Sequence, residues 1–346
     1  MRDIKDFLLQ ELELWFKERG VAPYRSRQIF SWIYKKGVYD FANMGNIPQD
    51  LRHYLKDSFI SESLRLRSHS FSKDGACKFA FETGEGSIIE SVYIPHIRKR
   101  YTFCISSQVG CRFNCYFCAS GKKGFVRSLS VAEILEQILK MRDFLKRAPS
   151  NIVFMGVGEP LDNYDSVLKS IEAINSPWGF NISQRRISLS TSGIVPRIRE
   201  LALKKMQIEL SVSLHTLDND LRNFLMPVNR IYPLEDLLKA CKFYFENTNR
   251  EITFEYILFK GLNDSPEDIR RIKKRIKGFL FKINLIPYNP IEGIDDLFPP
   301  SQEETANFAK KLRHSNIKVF IRKSRGADIS GSCGQLRINI ENKLRL

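Results

Sequence analysis

From residue 102 onward, short apolar segments alternate along the chain with longer amphipathic ones. The apolar segments have the length of strands, and the amphipathic segments carry apolar residues at helical spacing. The strand-like segments are TFCIS (102–106), NIVFMGV (151–157), RRISLST (185–191), IELSVSL (208–214), ITFEYIL (252–258), KINLIP (282–287) and IKVFIRK (317–323). Strands that alternate with helices predict an α/β fold with a parallel sheet, and about six such units predict a partial (β/α)6 barrel.

Two different patterns precede this region. Residues 1–69 carry apolar residues at helical spacing, as in DFLLQELELWF and RQIFSWIYK, and predict a small helical accessory domain. The segments CKFAFET and SIIESVYI, with Gly84 and Gly86 between them, predict the strands of a short β-hairpin extension. The predicted boundaries are 1–69 for the helical domain, 70–103 for the extension, 104–325 for the barrel and 326–346 for a carboxyl-terminal tail.

Composition and charge narrow the class of protein. Hydrophobic residues make up 43% of the 346 residues, which is enough for a proper core. The chain shows neither a secretory leader nor an apolar run of membrane-spanning length, so we expect a cytoplasmic protein with no membrane partner. The net charge of +16 favours a polyanionic partner such as nucleic acid, although basic stretches such as 98–100 and 122–127 are more often solvated faces.

Four of the seven cysteines lie within residues 104–118. Three of them have the spacing CxxxCxxC: Cys111, Cys115 and Cys118. An odd number of cysteines with several on one loop is unlike a secreted disulfide framework and favours metal or redox chemistry. A structural zinc site is one interpretation, but it requires a fourth Cys or His close by, and no histidine occurs between His96 and His215. Three thiolates instead suit a 4Fe-4S cluster with one open iron.

The cysteine spacing ahead of a partial barrel resembles the radical S-adenosylmethionine (SAM) superfamily. Five motifs resemble, more narrowly, the RlmN/Cfr family of radical SAM RNA methyltransferases. They are SSQVGC (106–111), GVGEPLDN (156–163), SLSTSG (188–193), SVSLH (211–215) and SCGQL (332–336). The resemblance extends from about residue 25 to residue 337. It implies a radical SAM barrel, and it implies that the helical accessory domain binds RNA.

The resemblance also assigns a cofactor site. It implies one 4Fe-4S cluster on the three loop cysteines, with SAM bound at the open iron. The residues that it implies as SAM contacts are Gly158, Glu159, Ser190, Ser213, Leu214, His215 and Asn289. Glu159 matches the acceptor of hydrogen bonds from the SAM amino group. Taken alone, Ser190 fits a helix cap equally well, and His215 fits a satisfied core histidine.

The reaction of the family implies roles for two further thiols and a carboxylate. A ring carbon of adenine offers no lone pair to an electrophilic methyl group, so the family first places a methyl group on a cysteine, here matched by Cys333. A radical from a second SAM activates that methyl group, and its carbon adds to the base. Glu90 matches the proton acceptor, and Cys104 matches the thiol that releases the product by forming a disulfide. Without the motifs, both thiols would be interpreted as inert and Glu90 as a solvent-facing residue.

The motifs GEPL and SSQVGC resemble the RlmN branch of the family, which implies methylation of carbon 2. The implied substrates are an adenosine of 23S rRNA and the tRNA adenosine just 3′ of the anticodon. Two SAM molecules would be consumed per turnover, an electron donor such as flavodoxin or ferredoxin would be required, and we expect a monomer. Two alternatives stay open: a Cfr-type carbon-8 methyltransferase, and a non-catalytic, zinc-stapled RNA-binding protein.

Overall fold

The structure is a computed structural model of the chain, and it describes residues 1–97, 100–122 and 124–336. Its strands are β1 (Arg2–Asp3), β2 (Phe59–Ile60), β3 (Leu64–Phe71), β4 (Cys77–Thr83), β5 (Ile88–His96), β6 (Arg100–Cys104), β7 (Gln108–Gly110), β8 (Phe125–Ser128), β9 (Asn151–Phe154), β10 (Ile187–Thr191), β11 (Glu209–Ser213), β12 (Ile252–Leu258), β13 (Phe281–Pro287) and β14 (Val319–Ile321). Its α-helices are α1 (Leu9–Lys17), α2 (Tyr24–Phe30), α3 (Gln49–Ser58), α4 (Val131–Leu145), α5 (Tyr164–Asn175), α6 (Val195–Leu203), α7 (Asn219–Leu225), α8 (Leu234–Thr248), α9 (Pro266–Arg275) and α10 (Gln302–His314). The described residues leave out two residues of the basic stretch 98–100 and Lys123 of the stretch 122–127. They also leave out the predicted tail from residue 337 onward.

Seven parallel strands form the larger part of a ten-stranded sheet. Their order is β14-β13-β12-β11-β10-β9-β6, and at least one α-helix separates each consecutive pair along the chain. All seven residues of β12 are buried, as expected for a parallel strand that is covered on both faces. The predicted partial (β/α)6 barrel is therefore confirmed, with β14 as the closing strand.

The other three strands of this sheet form an antiparallel extension. β3, β4 and β5 pair in sequence, and β5 then pairs with β6. The predicted hairpin corresponds to β4 and β5, but β3 begins at Leu64, within the region that the sequence analysis assigns to helix. In LRLRSHSF only Leu64 is buried, and a bulge interrupts the pairing between Leu66 and Ser68. An exposed edge strand of this kind leaves little apolar alternation in the sequence.

The amino-terminal helices share one continuous core with the barrel. The ammonium of Lys5 is fully buried and pairs with Asp3 at 2.9 Å and with Glu136 of α4 at 3.3 Å. The Asp6 carboxylate accepts a hydrogen bond of 2.9 Å from the amide of Ala132 at the start of α4. These contacts fix the helical domain to the first helix of the barrel. No helix in the described part of the chain is both long and apolar enough to cross a membrane.

A two-stranded antiparallel ribbon, β7 with β8, flanks the cysteine loop. The sequence analysis did not predict it, because both strands are too short for an apolar pattern. Gly110 in β7 has φ 73°, and a Cβ atom there would lie 1.9 Å from the carbonyl oxygen of Gly124. The amide of Cys111 donates to that same oxygen at 3.0 Å. The ribbon therefore requires glycine at 110 and fixes the point where the cysteine loop begins.

Candidate functional site

The three loop cysteines line one cavity, which we call the cysteine-loop cavity. Gly158, Glu159, Ser190, Ser213 and His215 line it as well. These residues lie at or just beyond the carboxyl ends of β9, β10 and β11, where the active sites of barrels of this kind are found. The structure thus brings together eight of the ten residues that the resemblance assigned to the cluster and SAM contacts. Cys333, assigned as the methyl carrier, lines the cavity too.

The loop itself is held by backbone hydrogen bonds. The amide of Cys118 donates to the carbonyl of Cys115 at 3.0 Å, and the amide of Tyr116 donates to the carbonyl of Leu225 in α7 at 2.9 Å. Phe117 lines the cavity, whereas the Tyr116 hydroxyl points to the Asp296 carboxylate at 2.8 Å. The neighbouring aromatic residues Tyr116 and Phe117 therefore have different surroundings: Phe117 lines the cavity, as Phe113 does, and Tyr116 does not.

The loop thiols lie close enough to affect one another's ionisation. Burial, with a smaller contribution from the neighbouring Cys118, raises the pKa of the Cys111 thiol to about 12. Burial and the nearness of both other thiols raise the pKa of Cys115 well above its ordinary value. Three thiolates here require a compensating cation. Among the described residues, no three His, Cys, Asp or Glu side chains converge on a point that suits a single metal ion. In a 4Fe-4S cluster each thiolate binds a different iron, so the ligands surround a cavity as these three do.

Glu159 is held in a fixed orientation at the end of β9. Its two carboxylate oxygens accept hydrogen bonds from the amides of Leu161 at 3.0 Å and Ser192 at 2.7 Å. Burial raises the pKa of this carboxyl, while the two amides lower it. At Gly158, with φ 103°, a Cβ atom would lie 2.5 Å from the Cβ of Gln108, so only glycine allows this turn. Each Glu159 oxygen keeps a lone pair with which to accept from a cationic amino group.

His215 is a neutral hydrogen-bond donor in this cavity. Burial lowers the pKa of its imidazole to about 3. The amide of Ile257 donates to Nδ1 at 3.0 Å, so the remaining ring proton is on Nε2. The ring of Phe117 contacts the imidazole edge-on at 4.8 Å. Leu214 differs from its neighbours, because its side chain lies in the hydrophobic core and does not line the cavity, which leaves only its backbone for a ligand.

Arg222 in α7 is a residue of this site that the sequence reasoning missed. Its side chain is fully buried and donates to the carbonyls of Ser192 and Ser213, both at 2.9 Å. It also donates to the Asn229 side chain at 2.9 Å. Burial lowers the pKa of its guanidinium to about 10, and the nearby Cys115 opposes that shift. Arg222 therefore ties together the ends of β10 and β11 and adds a buried positive charge near the cysteine loop. Nothing in the pattern of LDNDLRNFL marks it.

Cys333 lies between the cysteine-loop cavity and a second one, which we call the thiol cavity. It lines both, whereas Cys104 lines only the thiol cavity. The Asn289 side chain donates to the carbonyl of Cys333 at 3.3 Å and does not line either cavity. The amide of Ala119 donates to the carbonyl of Gly334 at 2.8 Å. The tail loop is thus attached directly to the cysteine loop, and the two predicted thiols share one chamber.

Arg322, just beyond β14, is the cation that both thiols share. It lines both cavities, and its guanidinium lies 3.7 Å from the carboxylate of Glu255. Burial raises the pKa of Cys104 to about 12, Cys333 adds to that shift, and Arg322 opposes it. Burial also raises the pKa of Cys333, again with Arg322 opposing. Sequence reasoning assigned Arg322 no role in the site.

Glu90 lies apart from both cavities. It lines a third one with Ala119 and Ser330, and its carboxylate pairs with the ammonium of Lys78 at 3.1 Å. It is only 3% exposed, so it is not an ordinary solvent-facing strand residue. Ser330 belongs to the loop that continues to Cys333, and neither Cys104 nor Cys333 lines this third cavity.

Comparisons with known proteins agree with this geometry. Residues 105–274 match the family model of the Radical SAM superfamily, and residues 2–60 match that of the ribosomal RNA large subunit methyltransferase N-terminal domain. A Clostridium novyi (strain NT) protein named probable dual-specificity RNA methyltransferase RlmN is 44% identical over 340 residues, 98% of each chain. A protein of the same name from Caldicellulosiruptor saccharolyticus is 44% identical over 337 residues, 97% of each chain. The crystal structure of a radical SAM methyltransferase from Sphaerobacter thermophilus has 38% identity and a TM-score of 0.92, and covers 97% of this chain and 99% of that one.

Proposed function

Because the chain belongs to the RlmN family of radical SAM RNA methyltransferases, we propose that it methylates carbon 2 of adenosine in two RNAs. These are an adenosine of 23S rRNA and the tRNA adenosine just 3′ of the anticodon. The dual-specificity name of its relatives supports the pair of substrates. The observation that carries the proposal is the position of Cys333, which lines the cavity of the loop cysteines and also the cavity of Cys104.

The cysteine-loop cavity would hold both cofactors of the family, the 4Fe-4S cluster and SAM. When bound, the cluster supplies the electron that cleaves SAM to a 5′-deoxyadenosyl radical. Cys111, Cys115 and Cys118 would ligate three irons. Glu159 would accept from the SAM amino group, and the Nε2 proton of His215 would donate to an oxygen of SAM. The other proposed SAM contacts are Ser190, Ser213, the Leu214 backbone and Asn289.

Cys333 would carry the methyl group from SAM to RNA. Its thiolate attacks the methyl carbon of a first SAM, so that S-methylcysteine and S-adenosylhomocysteine form. Arg322 favours the thiolate, because its positive charge opposes the effect of burial on the pKa of Cys333. The radical derived from a second SAM would remove one hydrogen from the methyl carbon on the Cys333 sulfur, and the resulting methylene carbon would bond to carbon 2 of the adenine.

Release of the product would use the thiol cavity. The adduct would first lose its ring-carbon proton to a base and return one electron to the cluster. The Cys104 thiolate would then attack the sulfur of Cys333, so that the carbon–sulfur bond breaks as the disulfide forms, and the released methylene carbon would take up a proton from water to become the methyl group. Glu90 would accept the ring-carbon proton. Because Glu90 lines a different cavity from the thiols, this role would require a movement of the loop from Ile329 to Cys333 when RNA binds. Lys323 and Arg325 line the thiol cavity and fit the phosphates of an RNA strand that enters there.

The proposed substrate requires an adenosine turned out of its stack, because ring carbons inside a duplex are inaccessible. We place the enzyme in the cytoplasm as a monomer that receives electrons from a flavodoxin or ferredoxin and consumes two SAM molecules per turnover. The net charge of +16 favours RNA binding that weakens steeply with salt.

The test is product analysis with protein purified without oxygen. Full-length protein, SAM and a reductant are incubated with a 23S rRNA fragment and with a tRNA transcript, and the digested nucleosides are identified by mass spectrometry. We expect 2-methyladenosine from both RNAs and none from the Cys118→Ala variant. Formation of 8-methyladenosine would indicate the Cfr-type reaction instead. A colourless protein with one zinc and no methylated product would indicate a non-catalytic RNA-binding protein.

A further inference from the structure

An open groove between the helical domain and the barrel combines aromatic and basic side chains; we call it the aromatic groove. Its lining includes aromatic, basic and amide side chains: Tyr24, Arg27, Trp32, Lys36, Asn46 and Trp178. Trp178 lies in the connection between the end of α5 and the start of β10. A helix-to-strand connection lies at the amino ends of the parallel strands, whereas the cysteine-loop cavity lies at their carboxyl ends. The groove is therefore at the opposite end of the barrel from Cys333.

The aromatic groove contains two of the three tryptophans of the chain. The third, Trp15, packs among the rings of Phe16 and Phe59. By contrast, Trp178 is 39% exposed and Tyr24 is 52% exposed. Large aromatic rings are buried wherever a core can accommodate them, so exposed rings that share one groove point to a ligand.

Cations accompany the rings of the groove. The ammonium of Lys36 lies 3.4 Å from the centre of the Trp32 ring. The ammonium of Lys35 lies 5.2 Å, and the guanidinium carbon of Arg27 5.8 Å, from the ring of Trp178. The acidic residue Glu13 lies near these cations, and its carboxylate pairs with the Arg27 side chain at 3.1 Å. Alternating rings and cations are the arrangement that binds single-stranded nucleic acid, since bases stack on rings and phosphates pair with cations.

The backbone of the groove is also unusual. Residues Ser31–Lys36 form a π-helical turn, which carries Trp32, Lys35 and Lys36. π-Helical turns are rare and occur frequently at functional sites. The indole nitrogen of Trp32 donates to the Asn46 side chain at 2.5 Å, which fixes the ring in the groove. The Trp32 ring is thus held in place before any ligand arrives.

We propose that the aromatic groove binds unpaired nucleotides of the RNA substrate, away from the adenosine that is methylated. This inference rests on the proposed RNA methyltransferase function. Stacking on Trp178 and Tyr24 tolerates any base, so the groove adds affinity for single-stranded segments without reading their sequence. It suits an enzyme with two different RNA substrates, because a contact that reads no sequence can serve both.

The test measures the binding of a single-stranded oligoadenylate to the full-length protein. Tryptophan fluorescence is the readout. Stacking on Trp178 or Trp32 quenches the emission, whereas Trp15 gives a constant background. We expect Trp178→Ala to weaken oligoadenylate binding at least tenfold and to remove most of the quenching. We expect the double variant Lys35→Ala/Lys36→Ala to weaken binding and to reduce the slope of log affinity against log salt by about two. Phe298→Ala, at a ring 58% exposed outside the groove, is the matched control and should bind like the parent protein.

Two further readouts separate the groove from the proposed function. SAM cleavage in the absence of RNA should be unchanged in all these variants, which also shows that they are folded. Unaltered affinity and quenching in both groove variants would overturn the groove proposal. The same result is expected if the groove binds a protein partner instead of RNA. Failure of the parent protein to methylate RNA, together with weakened oligoadenylate binding in the groove variants, overturns the methylation proposal and leaves the groove as an RNA site.

Discussion

The cavities on the two sides of Cys333 are built differently. In the cysteine-loop cavity, strand ends carry polar groups that backbone amides hold in place, such as Glu159 and His215. In the thiol cavity, Val92 and Val153 form apolar walls around Cys104, whereas Arg322, Lys323 and Arg325 line another part of it. The first is suited to orienting a charged cofactor, and the second to keeping a thiol neutral until it reacts. Cys333 belongs to both, so one sulfur can receive a group on one side and deliver it on the other.

Loss of one loop cysteine should have the largest effect, because it disables the cysteine-loop cavity. We expect Cys118→Ala to lose iron and all RNA methylation, since the cluster would keep only two protein ligands. Iron analysis and methyl incorporation from labelled SAM measure both. Cys241→Ala is the matched control, because Cys241 is a buried cysteine of α8 that lines neither cavity. Normal methylation by Cys118→Ala would contradict the account.

Loss of Cys104 should disable only the thiol cavity. In Cys104→Ala the methylene carbon can still bond to the adenine, but no second thiol can release it. We therefore expect RNA covalently attached to Cys333, seen as a shifted band on a denaturing gel, and product release reduced at least a hundredfold. SAM cleavage should continue for a single turnover. Complete loss of SAM cleavage in Cys104→Ala would contradict the separate roles of the two cavities. Release of methylated RNA at the parent rate would contradict them as well.

Arg222 tests whether the cysteine-loop cavity depends on a buried charge as well as on hydrogen bonds. Arg222→Gln leaves the carbonyls of Ser192 and Ser213 without their donor, so we expect the free energy of unfolding to fall by about 3 kcal/mol. It also removes the positive charge near Cys115, which should make cluster reduction harder and shift the midpoint potential to a more negative value. Arg222→Lys should lose stability but keep most of the potential. Equal midpoint potentials in the two variants would mean that the charge of Arg222 does not affect the cluster and that its role is only structural.

His215 should give the smallest effect, on the pH dependence of stability. Burial holds the pKa of the folded imidazole at about 3, below its ordinary value of 6.5. Between these values the unfolded chain binds a proton that the folded chain does not, so stability is complete above pH 6.5 and falls as the pH decreases towards 3. His215→Gln should remove about 1.4 kcal/mol per pH unit from that decline, measured by urea unfolding between pH 7 and pH 5. His314→Gln, at an exposed end of α10, is the control, and equal slopes in the two variants would refute a neutral His215.

The sequence predicts the cysteine-loop cavity better than the surroundings of the thiols. Strand-to-helix alternation locates β9, β10 and β11, and their carboxyl ends carry Glu159, Ser190 and Ser213 in recognisable motifs. Arg222 and Arg322 were missed because a single arginine has no periodic signature, and their partners are distant along the chain. Glu90 lines a cavity that neither thiol lines, and this arrangement depends on packing between distant parts of the chain that no local pattern encodes.

The same contrast holds for the fold. Parallel strands that are buried on both faces leave continuous apolar runs such as ITFEYIL, and these were found. β3 is an exposed edge strand, and β7 is only three residues long, so neither has an apolar pattern to detect.

Isotope transfer from SAM tests most directly whether Cys333 carries the methyl group between the two cavities. With SAM that carries a trideuterated methyl group, removal of one deuterium from methylated Cys333 should leave two deuterium atoms in the RNA methyl group. The third should appear in 5′-deoxyadenosine. An RNA methyl group that keeps all three deuterium atoms would mean direct transfer from SAM and would contradict the account.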